Sequence, residues 1–108
     1  MNNILLANYQ REFIQFLVES EALIFGEFTT KSGRQTPYFI NSGQFYTGSR
    51  ITALGNFYAS HIEKIGLSDI DTIFGPAYKG VPLCVATSIA FYSLYQKNIS
   101  YTLSLIHI

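Results

Sequence analysis

Two short stretches bring together residue types that can hold an anion. The first is FGPAYKGVP, Phe74 to Pro82, where an apolar run ends in a Gly-Pro turn and Lys79 stands beside a second glycine. Gly75 and Gly80 let the backbone approach a ligand closely, and Lys79 adds a mobile cation that can follow charge on a phosphate. The spacing fits a tight turn with a solvated lysine equally well. It does not fit a Walker loop, because Gly80 rather than Ser or Thr follows Lys79 and only Pro76, Ala77 and Tyr78 separate Lys79 from Gly75. Nor is it a dinucleotide fingerprint, so a P-loop ATPase is disfavoured. The second stretch is FGEFTTKSGRQTPYF, Phe25 to Phe39. Lys31 and Arg34 supply cations, while Tyr38 and Phe39 supply aromatic faces for a planar ring. The plainer reading, a basic hairpin tip over a core aromatic pair, is the favoured one on these residues alone.

The elements that must position these groups follow from periodicity. Tyr9, Phe13, Phe16 and Leu17 recur at helical spacing, which predicts an amphipathic helix from about Asn8 to Ser20. Leu23 to Gln44 is rich in Phe, Tyr, Ile and Thr and is broken by KSGR and Pro37, so it reads as two or three short strands turning at Ser32 and Gly33. A second helix is expected from about Ser49 to Ile65, with Ile51, Leu54, Tyr58, Ile62 and Ile65 on one face. Thr47 or Ser49 would cap its start and Gly66 would end it. Ile70 to Phe74 is then a strand. Pro82 sits in a first helical turn, and Leu83 to Leu94 is apolar nearly all round, so that helix should be covered on more than one side. Ile99, Tyr101 and Leu103 alternate as a last strand would. Together, Ile70 to Leu103 forms one βαβ unit with parallel strands, the first half of an α/β domain. In such sheets anions sit at the carboxyl ends of strands, against amide groups at a helix start, and GPAYKG occupies that place.

Composition narrows the function classes. Of 108 residues, 48% are hydrophobic and 13% charged, which is a globular balance. Seven basic residues match seven acidic ones, leaving no global bias toward nucleic acid or an anionic membrane. A single-strand binder built on PYFINSGQFY would need a positive lining that this balance does not supply. Cys84 is the one cysteine, so an internal disulfide and a multi-cysteine metal site are excluded, and a reducing, cytoplasmic compartment is expected. Cys84 itself reads as plain packing. There is no apolar run of the roughly 18 residues a membrane span needs. The N-terminus has only a short apolar patch with no basic residue before it, so no secretory leader is expected.

FGEFTTKSGRQTPYFINSGQFYTG followed by FGPAYKG resembles the amino-terminal half of the orotate phosphoribosyltransferase family, from about Tyr9 to Tyr101. The resemblance implies a type I phosphoribosyltransferase-like α/β fold, a parallel sheet with flanking helices and a small N-terminal hood, here truncated. It implies transfer of a phosphoribosyl group from phosphoribosyl diphosphate to orotate with Mg²⁺, in a homodimer, as a step of pyrimidine formation. Lys31, Tyr78 and Lys79 would bind phosphoribosyl diphosphate, with Lys79 neutralising the leaving group, and the Phe39 and Ile40 position would lie against orotate. No catalytic residue and no metal ligand is assigned within the chain.

Two departures qualify the match. The family commonly carries a second Phe where this chain has Ile40, a mild change if the contact is made by backbone and a loss of orotate affinity if it is made by a ring. The family also continues into a basic mobile loop and an acidic pair that grips the ribose phosphate, whereas no Asp or Glu follows Asp71 here. The chain is therefore expected to be inactive by itself, and the alternative is a non-catalytic ligand-binding or regulatory remnant. Residues 1–101 are read as part of the transferase domain and Thr102 to Ile108 as an aberrant, non-native tail. His107 falls in that tail and takes no role, and His61 is read as structural or surface.

Overall fold

The computed structural model describes residues 7–66 and 69–104. The N-terminal apolar patch before Ala7, His107 and the last four residues of the expected tail lie outside the described residues. Two compact units divide between Tyr46 and Thr47.

The first unit holds helix α1 (Asn8–Glu19), strands β1 (Leu23–Thr29) and β2 (Gln35–Ile40), and a short 3₁₀ turn, Ser42–Gln44. At the start of α1 the Ala7 N–H donates to Gln10 Oε1 at 2.9 Å, half of a capping box, since alanine has no side-chain acceptor to return. Leu17 is the buried residue of the helix, and Phe16 stacks on Phe45 with ring centroids 5.6 Å apart. After α1, Glu21 takes a left-handed conformation (φ 60°), and the chain turns so that the Ala22 N–H reaches the Leu17 carbonyl at 3.0 Å. β1 and β2 pair antiparallel, from Leu23 with Ile40 to Thr29 with Gln35, with an irregularity between Phe25 and Phe28. Pro37 faces that irregularity. Proline has no N–H for a ladder, and the bulged segment is where none is demanded.

The second unit holds α2 (Gly48–Lys64), β3 (Thr72–Gly75), α3 (Gly80–Tyr95) and β4 (Ser100–Leu103). Of the two expected caps, Thr47 acts: its Oγ1 accepts from the Arg50 N–H at 3.3 Å. Gly66 closes the helix in a left-handed conformation (φ 84°). β3 and β4 pair in parallel, Thr72 with Ser100 through Gly75 with Leu103, and α3 is the crossover between them. The described part is thus α/β, a small parallel pair with flanking helices. β4 includes Thr102 and Leu103, and the Ser104 N–H reaches the Gly75 carbonyl at 3.2 Å, so the expected boundary at residue 101 falls inside a strand.

The buried face of α2 differs from the expected stripe. Leu54, Gly55 and Ala59 are buried, while Tyr58 and Ile65 are exposed. Small residues are selected because α2 runs close against α3: a Cβ on Gly55 would lie 2.6 Å from the Ala86 carbonyl oxygen. Ala59, Ala90 and Phe91 form the centre of the core, with Ile62, Ile70, Tyr95 and Ile99 against it. The buried hydroxyls of α3 bond back along the helix, Thr87 Oγ1 to the Leu83 carbonyl at 2.7 Å and Ser88 Oγ to the Cys84 carbonyl at 2.9 Å. Coverage of α3 is less complete than its composition predicts, since Ile89, Tyr92 and Leu94 remain exposed, with Ile89 and Leu94 lining a groove shared with Ile51 and Asn56 of α2. The Tyr95 hydroxyl donates to Ser60 Oγ at 3.1 Å, and Lys97 pairs with Glu63 at 2.7 Å. No helix among the described residues is long and apolar enough to cross a membrane.

Candidate functional site

The turn between β3 and α3 is built from backbone contact. Gly75 is buried, and a Cβ placed there would collide with Cys84 Sγ and lie 2.6 Å from the Gly80 carbonyl oxygen. A Cβ on Gly80 would lie 2.5 Å from Pro76 Cδ. Only glycine permits so close an approach at both ends. Between them the chain passes through a cis peptide bond joining Ala77 and Tyr78, and the Gly80 N–H donates to the Pro76 carbonyl at 3.0 Å.

Two sequence-predicted residues, Tyr78 and Lys79, stand together and exposed on this turn, at the carboxyl end of β3 and the start of α3. The expectation that the helix-start amides would receive an anion needs correction. The Gly80 and Val81 amides are engaged inside the turn, with the Pro76 and Tyr78 carbonyls at 3.0 and 3.3 Å, and Pro82 has none to offer.

The other three predicted residues belong to the β1–β2 hairpin. Lys31 is exposed at its tip, which is organised by Thr30 and Gly33. The Thr30 N–H reaches the Arg34 carbonyl at 2.8 Å, Thr30 Oγ1 accepts from the Arg34 N–H at 3.1 Å, and Gly33 has φ 87°. Phe39 and Ile40 lie at the far end of β2, opposite Ile24 and Leu23. The aromatic pair of β2 is not core: Tyr38 and Phe39 are 49% and 47% exposed, which corrects the favoured plain reading. Phe39 instead rests against Phe28, with centroids 5.8 Å apart. Because consecutive strand residues point to opposite faces, one planar ligand can meet the side chain of Phe39 or of Ile40 from one face, with only backbone from the other.

Cys84, read from the sequence as plain packing, is buried, and its packing is against the turn. It lies one helical turn after Gly80, which places its sulfur beneath Gly75, and its thiol donates to the Val81 carbonyl at 3.3 Å. Burial raises its pKa above the ordinary value. The spacing of four from Gly80 was the available signal. Among the described residues no group of three His, Cys, Asp or Glu could hold a metal ion.

No family model matches the chain. It is 50% identical over 96 residues to an orotate phosphoribosyltransferase of Agathobacter rectalis, covering 89% of this chain and 42% of that protein. It is 57% identical over 95 residues to one of Bifidobacterium animalis, covering 83% and 41%. The crystal structure of the Francisella tularensis enzyme of the same name superposes with a TM-score of 0.78 at 43% identity, over 86% of this chain and 46% of that one. Leishmania donovani UMP synthase shares the fold, with a TM-score of 0.66 at 23% identity. The chain thus spans under half the length of the relatives it matches. In sequence and in fold it is similar to orotate phosphoribosyltransferases over that part of their length.

Proposed function

We propose that this chain supplies the amino-terminal part of an orotate phosphoribosyltransferase, which converts orotate and phosphoribosyl diphosphate to orotidine 5′-monophosphate and diphosphate on the way to UMP. The observation that carries the reading is the glycine-hinged turn that presents Tyr78 and Lys79 at the carboxyl end of a parallel strand. In the reaction the bond from the anomeric carbon to diphosphate breaks with its electron pair on the leaving oxygen. A bond from that carbon to orotate N1 forms, and the N1 proton is released. Positive charge grows on the sugar and negative charge on the departing diphosphate, so a cation fixed at Lys79 stabilises the transition state more than the ground state. Lys31 is assigned to the same substrate. Orotate, a flat anion, suits the exposed aromatic and aliphatic surface at Phe39 and Ile40. Mg²⁺ would enter with phosphoribosyl diphosphate and supply charge neutralisation for the departing diphosphate. A homodimer working in the cytoplasm completes the proposal.

The test joins this chain to the carboxy-terminal portion of the Francisella tularensis relative and follows orotate consumption. Turnover is expected, and Lys79→Ala should lower kcat by about 100-fold or more, the scale of losing one transition-state donor, with the circular dichroism spectrum unchanged. A folded chimera without turnover, or turnover indifferent to Lys79, would overturn the assignment.

A further inference from the structure

We infer that Cys84 is a positioning residue for the Tyr78–Lys79 turn, its sulfur acting as the spacer that sets the distance between the end of β3 and the start of α3. This rests on the proposed phosphate-binding role of the turn and concerns how that role is held in shape. The turn is closely packed at both glycines. A Cβ at Gly75 would meet Cys84 Sγ and the Gly80 carbonyl oxygen, and a Cβ at Gly80 would meet the ring of Pro76, so neither glycine has room to move toward these neighbours. The thiol donates to the Val81 carbonyl at 3.3 Å, which fixes the sulfur's direction as well as its place. Tyr78 and Lys79 lie between these two glycines, so a shift of either glycine re-aims both side chains. Cys84 would act through the turn.

A spacer has a definite size, and this gives the inference its consequence. Serine keeps the branch and the donor. Alanine removes the wall under Gly75, and valine adds bulk where backbone already fills the space. Placing the ligand-facing groups by packing beneath them is a matter of preorganisation: a displaced turn binds less well even when the fold survives.

The experiment titrates the 108-residue chain and its variants with inorganic diphosphate in the presence of Mg²⁺ by calorimetry, with folding checked by circular dichroism at the same temperature. Cys84→Ser is expected to hold the wild-type Kd within about twofold. Cys84→Ala should weaken binding at least threefold and Cys84→Val at least tenfold, on the order expected for a misaimed contact. Gly75→Ala, which presses on the same contact from the other side, should match the valine variant. Part of its loss should return in Gly75→Ala/Cys84→Ala. A residue that only supports the fold would shift the melting temperature and leave Kd of the folded chain alone. Unchanged Kd in Cys84→Ala, the variant least able to disturb folding, therefore overturns the spacer role while the phosphate reading stands. If the wild-type chain shows no saturable binding of diphosphate, the phosphate reading of the turn fails and the spacer role falls with it.

Discussion

Gly55→Ala should destabilise the chain, against the usual effect of that substitution. In the middle of a helix, replacing glycine with alanine ordinarily adds about 1 kcal/mol through reduced backbone entropy and better helix propensity. Here the new methyl would lie 2.6 Å from the Ala86 carbonyl oxygen, 2.8 Å from its carbonyl carbon and 3.0 Å from its Cβ. The first two are backbone atoms of α3 and cannot rotate aside. Reaching an ordinary contact of 3.4 Å requires α2 and α3 to part by about 0.8 Å. Parting them also loosens Ala59 against Ala90 and Phe91, the buried centre of the unit. Overpacking of this kind costs about 2–3 kcal/mol, which exceeds the propensity gain and leaves a net loss of about 1–2 kcal/mol. Urea unfolding followed by circular dichroism measures it, with Gly48→Ala as control, since nothing lies within 4 Å of a Cβ there. The midpoint should fall for Gly55→Ala and stay within about 0.5 kcal/mol for the control. Equal or higher stability in Gly55→Ala would refute the claim that α2 and α3 meet backbone to backbone at this glycine.

Phe91, fully buried at the centre of the second unit, should cost about 3–5 kcal/mol as Phe91→Ala, whereas Phe25→Ala, at a residue 69% exposed, should stay within about 0.5 kcal/mol; denaturant midpoints separate the two. Gln96 ends α3 in a left-handed conformation (φ 58°) with its N–H on the Tyr92 carbonyl, so Gln96→Gly should raise the melting temperature, by about 1 kcal/mol of stability. The Cys84 thiol has its pKa raised by burial, so the unfolded chain loses this proton first as pH rises. Stability is complete below the unfolded value near 9.0 and falls above it toward the folded value, by up to about 1.4 kcal/mol per pH unit, and Cys84→Ala should lack that part of the decline when the two are compared from pH 7 to 10.

Much of the element order could be read from the residues because local rules and the fold agree there. α1 begins at Asn8 as its periodicity requires, Thr47 caps α2 and Gly66 closes it, and the strand that alternates through Leu103 pairs in parallel with β3. The differences arise where a partner decides. The strand expected from Ile70 starts at Thr72, because pairing with Ser100 sets its beginning, while Ile70 goes to the core beside Phe91. The buried face of α2 was sought in its large residues and is made of Leu54, Gly55 and Ala59, since the close approach of α3 selects for small ones. Helical periodicity reports which residues can share a face. It does not report how near the neighbouring backbone comes.

The same distinction governs the candidate site. The residue types that can bind a phosphate or a planar anion were visible in FGPAYKG and KSGRQTPYF, because a glycine pair, a cation and an aromatic ring are chemical facts before folding. Their aim was not. The amides of Gly80 and Val81 turn inward to the carbonyls of Pro76 and Tyr78. In the hairpin, Phe39 rests beside Phe28 and Ile40 pairs with Leu23, and strand alternation makes these two neighbours assigned to one ligand face opposite ways. The consequence bears on the substitution of Ile for the family's Phe at position 40. If the ligand lies on the face of Phe39, Ile40 contributes only backbone and its side chain is free to vary. If it lies on the other face, Ile40→Phe should tighten orotate binding in the chimera, and Phe39→Ala should leave it unchanged. Orotate titration of those two variants decides which face of β2 holds the base.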